Sequence, residues 1–314
     1  MGTTFYFDFE PAMMIWLQSH MGTAAQAAAS FFTLLGNETF MIAVLGFLYW
    51  CYDKEFGKKV GTALLAGLVF NALVKCLVMR RRPYMDHAEI KCLKKVTSGA
   101  DLNDIKEQGF SFPSMHSTNA VVLYGMLPGG FSGTRAAGGM RVLAVLLPLL
   151  IGLSRVLLGV HYPTDVLCGW LVGIAIVLIT DRFSGAIREK WKLRLALFAV
   201  SCVGILFCRT SDYFTSLGIM GGLFLGFELE ERKVHFKETK DILRGVLRIA
   251  VGIGLYFALN TVFKLPFPKE FLASDALPAL LVRTVRYLIV TFLIIGVYPM
   301  LFVKLAPKFD KNIT

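Results

Sequence analysis

Residues 141–181 read RVLAVLLPLLIGLSRVLLGVHYPTDVLCGWLVGIAIVLITD, and this stretch decides the fold. Two apolar runs, each close to the length of a helix that crosses a bilayer, enclose Arg155, His161 and Asp165. Charged and imidazole side chains are costly at the end of a membrane helix, so residues of this kind usually have a function there. The stretch therefore predicts a pair of membrane helices with a functional site at the turn that joins them.

The composition of the whole chain indicates a polytopic membrane protein. Of 314 residues, 55% are hydrophobic and 18% are charged, and the mean hydropathy is +0.61. The formal net charge of +11 does not indicate nucleic-acid binding, because the basic residues are scattered among apolar runs and form no continuous stripe. The predicted partners are the bilayer and an anionic substrate.

The hydrophobic runs predict an all-α fold, a transmembrane helix bundle of about nine spans. The segment from Pro11 to Ala29 is weakly amphipathic, which favours an interfacial or re-entrant helix. The predicted spans lie near residues 32–52, 59–79, 114–128, 138–158, 166–181, 193–209, 212–227, 245–263 and 285–303.

Three regions follow from this pattern. We expect residues 1–31 to form the interfacial or re-entrant amino-terminal segment and residues 32–209, which carry every polar motif, to form the core that holds the functional site. Residues 210–314 supply additional membrane helices that act as scaffold or shape the substrate site.

The charge of the loops predicts the orientation. Lys and Arg are in excess in alternate loops, and such loops face the cytoplasm. This places the amino terminus outside, and it brings the polar motifs together on the outer face. We expect a multi-pass protein of a bacterial cytoplasmic membrane with its active site facing outward.

The first motif is Lys75 with Arg82-Pro83. The two cations are seven residues apart, about two helical turns, so on one helix both would point toward the same anion. Arg offers a bidentate fork to phosphate oxygens and Lys a compact charge. The basic run 79–82 taken alone is better explained as a membrane-edge anchor, but Lys75 lies inside the apolar run.

The second motif is Pro113-Ser114-Met115-His116, at the start of an apolar helix. Ser114 is the expected N-cap, and the adjacent backbone N–H groups, including that of Met115, would face a bound anion. His116 in the first turn is placed to donate a proton to a leaving oxygen. An ordinary serine cap with a polar histidine is an equal alternative.

The third motif is Ser154-Arg155 followed by His161 and Asp165. The carboxylate of Asp165 would hold one imidazole nitrogen of His161 as N–H and leave the other free to attack phosphorus. Arg155 would neutralise oxygens of the transition state. A purely structural His-Asp pair is the alternative, but it would not predict an arginine beside it.

Together these residues give the pattern Lys-x6-Arg-Pro, Pro-Ser-x-His and Ser-Arg-x5-His-x3-Asp over residues 75–165. In this pattern the chain resembles the type 2 phosphatidic acid phosphatase (PAP2) superfamily. The resemblance implies a six-helix catalytic core in which His161 is the nucleophile, Asp165 orients it and His116 is the general acid and base. It also implies phosphate binding by Lys75, Arg82, Ser114, the Met115 backbone and Arg155.

The implied function is metal-independent phosphatase activity on a lipid phosphate or polyprenyl diphosphate, without a cofactor. The alternatives are a phosphatase for a soluble sugar phosphate, a lipid phosphotransferase, and an anion or lipid transporter without catalysis. One position departs from the family, which usually has Gly where this chain has Met115. The backbone N–H is retained there, but the Met side chain narrows the pocket or contacts a lipid tail.

The six cysteines show no CxxC spacing and no pattern of metal ligands. Since most lie inside apolar runs, we expect buried thiols rather than ligands or disulfides.

Overall fold

The computed structural model describes residues 2–95, 97, 99–184 and 189–304. Within these ranges it contains fourteen α-helices and no β-strand, which confirms the all-α fold. The helices are α1 Phe9–Ser19, α2 Thr23–Leu35, α3 Glu38–Phe47, α4 Lys54–Val78, α5 Pro83–Asp86, α6 Ile105–Gln108, α7 Met115–Gly130, α8 Ala137–Leu157, α9 Pro163–Ser184, α10 Lys190–Cys202, α11 Ser211–Leu229, α12 Ile242–Val262, α13 Lys269–Leu272 and α14 Leu277–Phe292.

Five helical segments of the described chain are long and apolar enough to cross a membrane. They are Lys54–Val78, Ala137–Leu157, Pro163–Phe183, Ile242–Val262 and Leu277–Lys304. The segments Thr23–Leu35 and Glu38–Tyr52 would form a sixth span, or a re-entrant loop, because they meet at an angle of 48°. The predicted number of nine spans stays a prediction, since α7, α10 and α11 do not reach the same length and hydropathy.

Helix α4 ends earlier than the sequence suggests. It stops at Val78, and Met79 has a φ of 51°, a left-handed conformation that closes a helix. The Met79 N–H donates to the Lys75 carbonyl at 2.9 Å, and the following backbone pairs with Thr3 instead of continuing the helix. The prediction that one continuous helix carries both Lys75 and Arg82 is therefore wrong.

The chain divides into two compact units. The first comprises residues 1–41 and 66–182, and the second comprises residues 42–65 and 183–314. Every site residue predicted from the motifs belongs to the first unit. The predicted boundaries at residues 31 and 209 stay predictions.

In the first unit, α8 packs against both α2 and α7, and α9 lies very close to α7. Two glycines four residues apart on α9, Gly169 and Gly173, permit this approach. A Cβ at Gly169 would lie 2.6 Å from the Ser114 carbonyl oxygen, and one at Gly173 would lie 2.6 Å from the Cβ of Val121. Small residues at this spacing let membrane helices approach closely.

In the second unit, glycines likewise allow α11 to pack closely on α14. A Cβ at Gly218 or Gly222 of α11 would lie 2.4 or 2.3 Å from a backbone oxygen of α14. Near the end of this helix, the buried Lys58 donates to Glu230 at 2.6 Å.

The interpretation of all six cysteines as thiols is wrong for two of them. Cys76 and Cys208 are each disulfide-bonded. The other four, Cys51, Cys92, Cys168 and Cys202, are free.

We expect Gly173→Ala to destabilise the protein. Alanine favours a helix over glycine intrinsically, but here its methyl group would meet Val121 and the Thr118 carbonyl at 2.6 and 2.9 Å. Such overpacking costs about 1–3 kcal/mol, so thermal unfolding in detergent should begin at a lower temperature. Gly139→Ala is the matched control, because a Cβ there meets no atom within 4 Å. Equal melting curves for the two variants would contradict this account of the α7–α9 contact.

Candidate active site

The ends of four helices and two connecting segments bring the predicted residues together. Lys75 lies in the last turn of α4, Arg82 caps the short α5, and Arg155 lies in the last turn of α8. Helix α7 starts directly after Ser114, and α9 starts two residues after His161. Buried side chains in this group are Lys75, Arg82, Ser114, Arg155, His161 and Asp165.

His161 lies between a carboxylate and a guanidinium. Its Nδ1 is 3.4 Å from Oδ2 of Asp165, and that oxygen also accepts the Tyr162 N–H at 2.8 Å. Its Nε2 is 3.5 Å from Nη1 of Arg82. The carboxylate thus faces one ring nitrogen, which leaves Nε2 on the side where Arg82 would hold an anion.

The cations around His161 keep its imidazole neutral. Burial, together with the charges of Arg82, Arg155 and Lys75, holds the pKa of His161 well below its ordinary value. Only an unprotonated nitrogen can attack an electrophile, so this environment suits a nucleophile.

Arg82 is held in place by backbone carbonyls. Its Nε donates to Gln108 and Gly109 at 2.9 and 3.0 Å, and its Nη1 donates to Val160 at 2.9 Å. These bonds to backbone carbonyls position the guanidinium beside His161.

Ser114 connects the second and third motifs. Its side chain accepts the Ser117 N–H at 3.4 Å, as predicted for an N-cap, and its own N–H donates to the Asp165 carbonyl at 3.0 Å. Met115 is the first residue of α7, and the half-buried His116 follows in the first turn. The start of α7 is therefore fixed against the start of α9.

Helix α2 forms one wall of the site, which the sequence did not reveal. The Nη1 of Arg155 donates to the Thr33 hydroxyl at 2.7 Å. At the end of the helix, a Cβ on Gly36 would lie 3.3 Å from the His116 ring. The Nε of Arg155 is buried and has no hydrogen-bond partner within the described residues, so it is available to a ligand.

A second arginine, Arg80, supports Asp165 from behind. Its Nη1 donates to Oδ1 of Asp165 at 2.7 Å and to the Thr164 hydroxyl at 2.7 Å, while its Nη2 donates to Oε2 of Glu10 at 2.9 Å. All three charged groups are nearly inaccessible, with side-chain exposures of 0 to 1%. Glu10 comes from α1, so the amino-terminal segment contributes to the support of the site.

The network around Glu10 is fully hydrogen-bonded. Its Oε1 accepts the N–H and the hydroxyl of Thr164 at 3.0 and 2.7 Å, and its Oε2 accepts the Phe7 N–H at 2.9 Å. Burial raises the pKa of Glu10, but these bonds and the charge of Arg80 outweigh burial and lower the pKa below its ordinary value. Glu10 therefore stays ionised beside Arg80.

Aromatic rings enclose the Arg80 guanidinium. Its Cζ lies 3.9 Å from the centroid of the Tyr162 ring and 4.5 Å from that of Phe5. Stacking of this kind suits the planar guanidinium of arginine. The sequence indicated Arg80 only as part of a basic run, and Glu10 only as part of the amino-terminal segment 1–31.

Two family profiles and several known proteins are similar to this chain. The sequence profile of the PAP2 superfamily matches residues 56–189, and that of the PAP2 superfamily phosphatase, transmembrane extension, matches residues 214–309. The phosphatidylglycerolphosphate phosphatase of Bacillus subtilis, known from a crystal structure, is 22% identical with a TM-score of 0.44, over 57% of this chain and 86% of that chain.

Three curated relatives are phosphatases of lipid or polyprenyl compounds. Decaprenylphosphoryl-5-phosphoribose phosphatase of Mycobacterium tuberculosis is 36% identical over 49% of this chain and 75% of its own length. Phosphatidylglycerophosphatase B of B. subtilis is 28% identical over 50% of this chain and 74% of its own length. Undecaprenyl-diphosphatase BcrC of B. subtilis is 29% identical over 54% of this chain and 80% of its own length.

The two family matches and the relatives identify a membrane-embedded phosphatase, a hydrolase of phosphate compounds. The chain belongs to the PAP2 superfamily, as its motifs suggested.

We expect Arg80→Gln to lower kcat strongly with little change in KM. The substitution leaves the buried carboxylates of Asp165 and Glu10 without their guanidinium, which misplaces Asp165 and through it His161. A displacement of about 1 Å can reduce turnover roughly 100-fold. Steady-state kinetics on purified protein would measure both parameters.

Arg81→Gln is the matched control for this prediction. Arg81 is one-third exposed and pairs with Asp86 at 3.2 Å, outside the network. If Arg80→Lys recovered part of the lost kcat, the positive charge at this position would be what holds Asp165 in place. If Arg80→Gln and Arg81→Gln had the same kcat, Arg80 would have no part in catalysis.

Proposed function

We propose that this protein hydrolyses a lipid phosphate or polyprenyl diphosphate at the outer face of the membrane through a phosphohistidine intermediate. The observation that carries the proposal is the environment of His161, with Nδ1 toward Asp165 and Nε2 beside Arg82. The three relatives are named as phosphatases of lipid or polyprenyl compounds, which supports this substrate class.

In the first step, the Nε2 lone pair of His161 attacks the terminal phosphorus. The bond from phosphorus to the leaving oxygen breaks, and that oxygen takes a proton from His116. In the second step, His116 accepts a proton from water, the water oxygen attacks phosphorus, and the bond to Nε2 breaks to release inorganic phosphate. Asp165 stabilises the positive charge that His161 acquires.

The surrounding donors stabilise the phosphoryl oxygens. Arg82 and Arg155 supply guanidinium groups, Lys75 supplies an ammonium group, and Ser114 and the Met115 N–H lie at the start of α7, where a helix favours an anion. The described residues include no cluster of three or more histidine, cysteine or acidic side chains suited to a metal. Each step above uses only groups of the protein, the substrate and water.

A lipid substrate suits the position of this site. Lys75 and Arg155 lie in the last turns of two helices that qualify as membrane spans. A substrate anchored in the bilayer would therefore present its head group at the level of these cations while its tail stays in lipid.

Two features support the outer face. The loops on the opposite side carry the excess of Lys and Arg. In addition, Cys76, next to Lys75 on α4, is disulfide-bonded, and disulfides persist mainly in oxidising compartments such as the periplasm.

We expect a labelled phosphate to be trapped on the wild-type protein and absent from His161→Ala. Purified protein would be mixed with terminally ³²P-labelled polyprenyl diphosphate, in the presence of EDTA, and quenched in alkali, in which phosphohistidine is stable. His161→Ala removes the only atom to which phosphorus bonds in this scheme, so both label and turnover should be lost. Peptide mapping would locate the modified residue.

His235→Asn is the matched histidine control, because His235 is exposed and outside the site. It should retain label and turnover. Undiminished turnover in His161→Ala would refute the covalent mechanism, and loss of label in EDTA would indicate a metal requirement.

The orientation predicts which side of the membrane single cysteines face. Glu89 and Arg135 are both exposed, and they lie in connections that the proposal assigns to opposite sides. In intact cells, an impermeant thiol reagent should label Glu89→Cys and not Arg135→Cys, which should react only after the membrane is opened. The reverse pattern would overturn the outward-facing site.

A further inference from the structure

A further cation, Lys94, contacts α2 in addition to the predicted phosphate ligand Arg155. Thr33 holds Arg155, and Ser30 lies one turn earlier on the same face of the helix. The carbonyl of Ser30 accepts the Nζ of Lys94 at 3.4 Å. Lys94 therefore lies about one helical turn from Arg155, on the wall that also contacts His116.

The backbone around Lys94 is pinned to the helices of the site. Gln18 of α1 accepts the Lys91 N–H at 2.9 Å and donates to the Lys91 carbonyl at 2.9 Å. The Leu93 N–H donates to the Leu158 carbonyl at 3.0 Å. Lys94 thus extends from a fixed segment.

Gly159 allows this segment to lie directly on the turn that leads to His161. It has a φ of 76°, and a Cβ there would lie 2.3 Å from the Lys91 carbonyl oxygen. The segment that carries Lys94 and the turn that carries the nucleophile are therefore in contact through their backbones.

The ammonium group of Lys94 is only weakly engaged. Its bond to Ser30 is long, and no carboxylate among the described residues is paired with it. Burial and the charge of Arg155 lower the pKa of Lys94.

We propose that Lys94 binds the second phosphate of a diphosphate substrate and so favours diphosphates over monophosphates. The inference rests on the proposed function, since it assigns the leaving-group side of the same site. With the terminal phosphorus at His161 and the bridging oxygen at His116, the remaining phosphate would lie beyond His116. Lys94 contacts Ser30, six residues before the Gly36 that meets the His116 ring, and so places a cation on the wall beside His116.

In this reaction Lys94 acts on the leaving group. When Nε2 of His161 bonds to the terminal phosphorus, the bond to the bridging oxygen breaks and its electron pair stays on that oxygen. His116 protonates the oxygen, and the product is a lipid monophosphate. Lys94 stabilises the anionic phosphate of this product, a group that is absent when the leaving group is an alcohol.

The test compares Lys94→Gln with wild type on farnesyl diphosphate and farnesyl monophosphate, which share one lipid chain. Loss of a charge-assisted hydrogen bond should lower kcat/KM for the diphosphate roughly 10- to 100-fold. The value for the monophosphate should change less than about 3-fold, which also shows that the variant is folded. Lys94→Arg should restore most of the preference for the diphosphate.

Lys95→Gln is the matched control, because the Lys95 side chain is exposed and donates to the Ala100 carbonyl. If Lys94→Gln lowered kcat/KM equally for both substrates, or for neither, the role of Lys94 would be overturned. A wild-type protein that hydrolyses only the monophosphate would overturn it too and leave the proposed function intact. Failure to hydrolyse either compound, or any other lipid phosphate, would contradict the proposed function itself.

Discussion

The first unit depends on a buried guanidinium that lies between two carboxylates. Arg80 pairs with Asp165 and Glu10, and every charged group in the set is removed from water. Burial of such groups is costly unless their remaining hydrogen bonds are made, and here Thr164, Tyr162 and the backbone supply them. Because the Asp165 carbonyl also accepts the Ser114 N–H, fixing the start of α9 fixes the start of α7.

The electrostatic balance of the site follows from this pairing. Asp165 faces Nδ1 of His161, and it shares the single positive charge of Arg80 with Glu10. Burial and the positive charges of Arg82, Arg155 and Lys75 lower the pKa of the His161 imidazole. A phosphate group would relieve the repulsion among these cations and provide an acceptor for the Arg155 Nε that lacks one. The clustering of these cations thus favours an anionic ligand.

The sequence predicted the parts of the fold that depend on local signals. Helical hydropathy indicated the all-α fold, and Ser114 marked the start of α7. Motif spacing selected residues that lie together, although their catalytic roles stay predictions. It failed where the deciding contact is distant. Nothing in the run 79–82 distinguishes Arg80 from Arg82, and Glu10 is 70 residues from its partner. The end of α4 depends on the left-handed Met79 and its pairing with Thr3, which no local pattern indicates.

The missing side chain at Gly159 links two segments of the chain. Since a Cβ at this position would lie 2.3 Å from the Lys91 carbonyl oxygen, the connection after α5 and the turn before His161 constrain each other. A connection transplanted from a relative would keep its register only if the turn around residue 159 were transplanted with it.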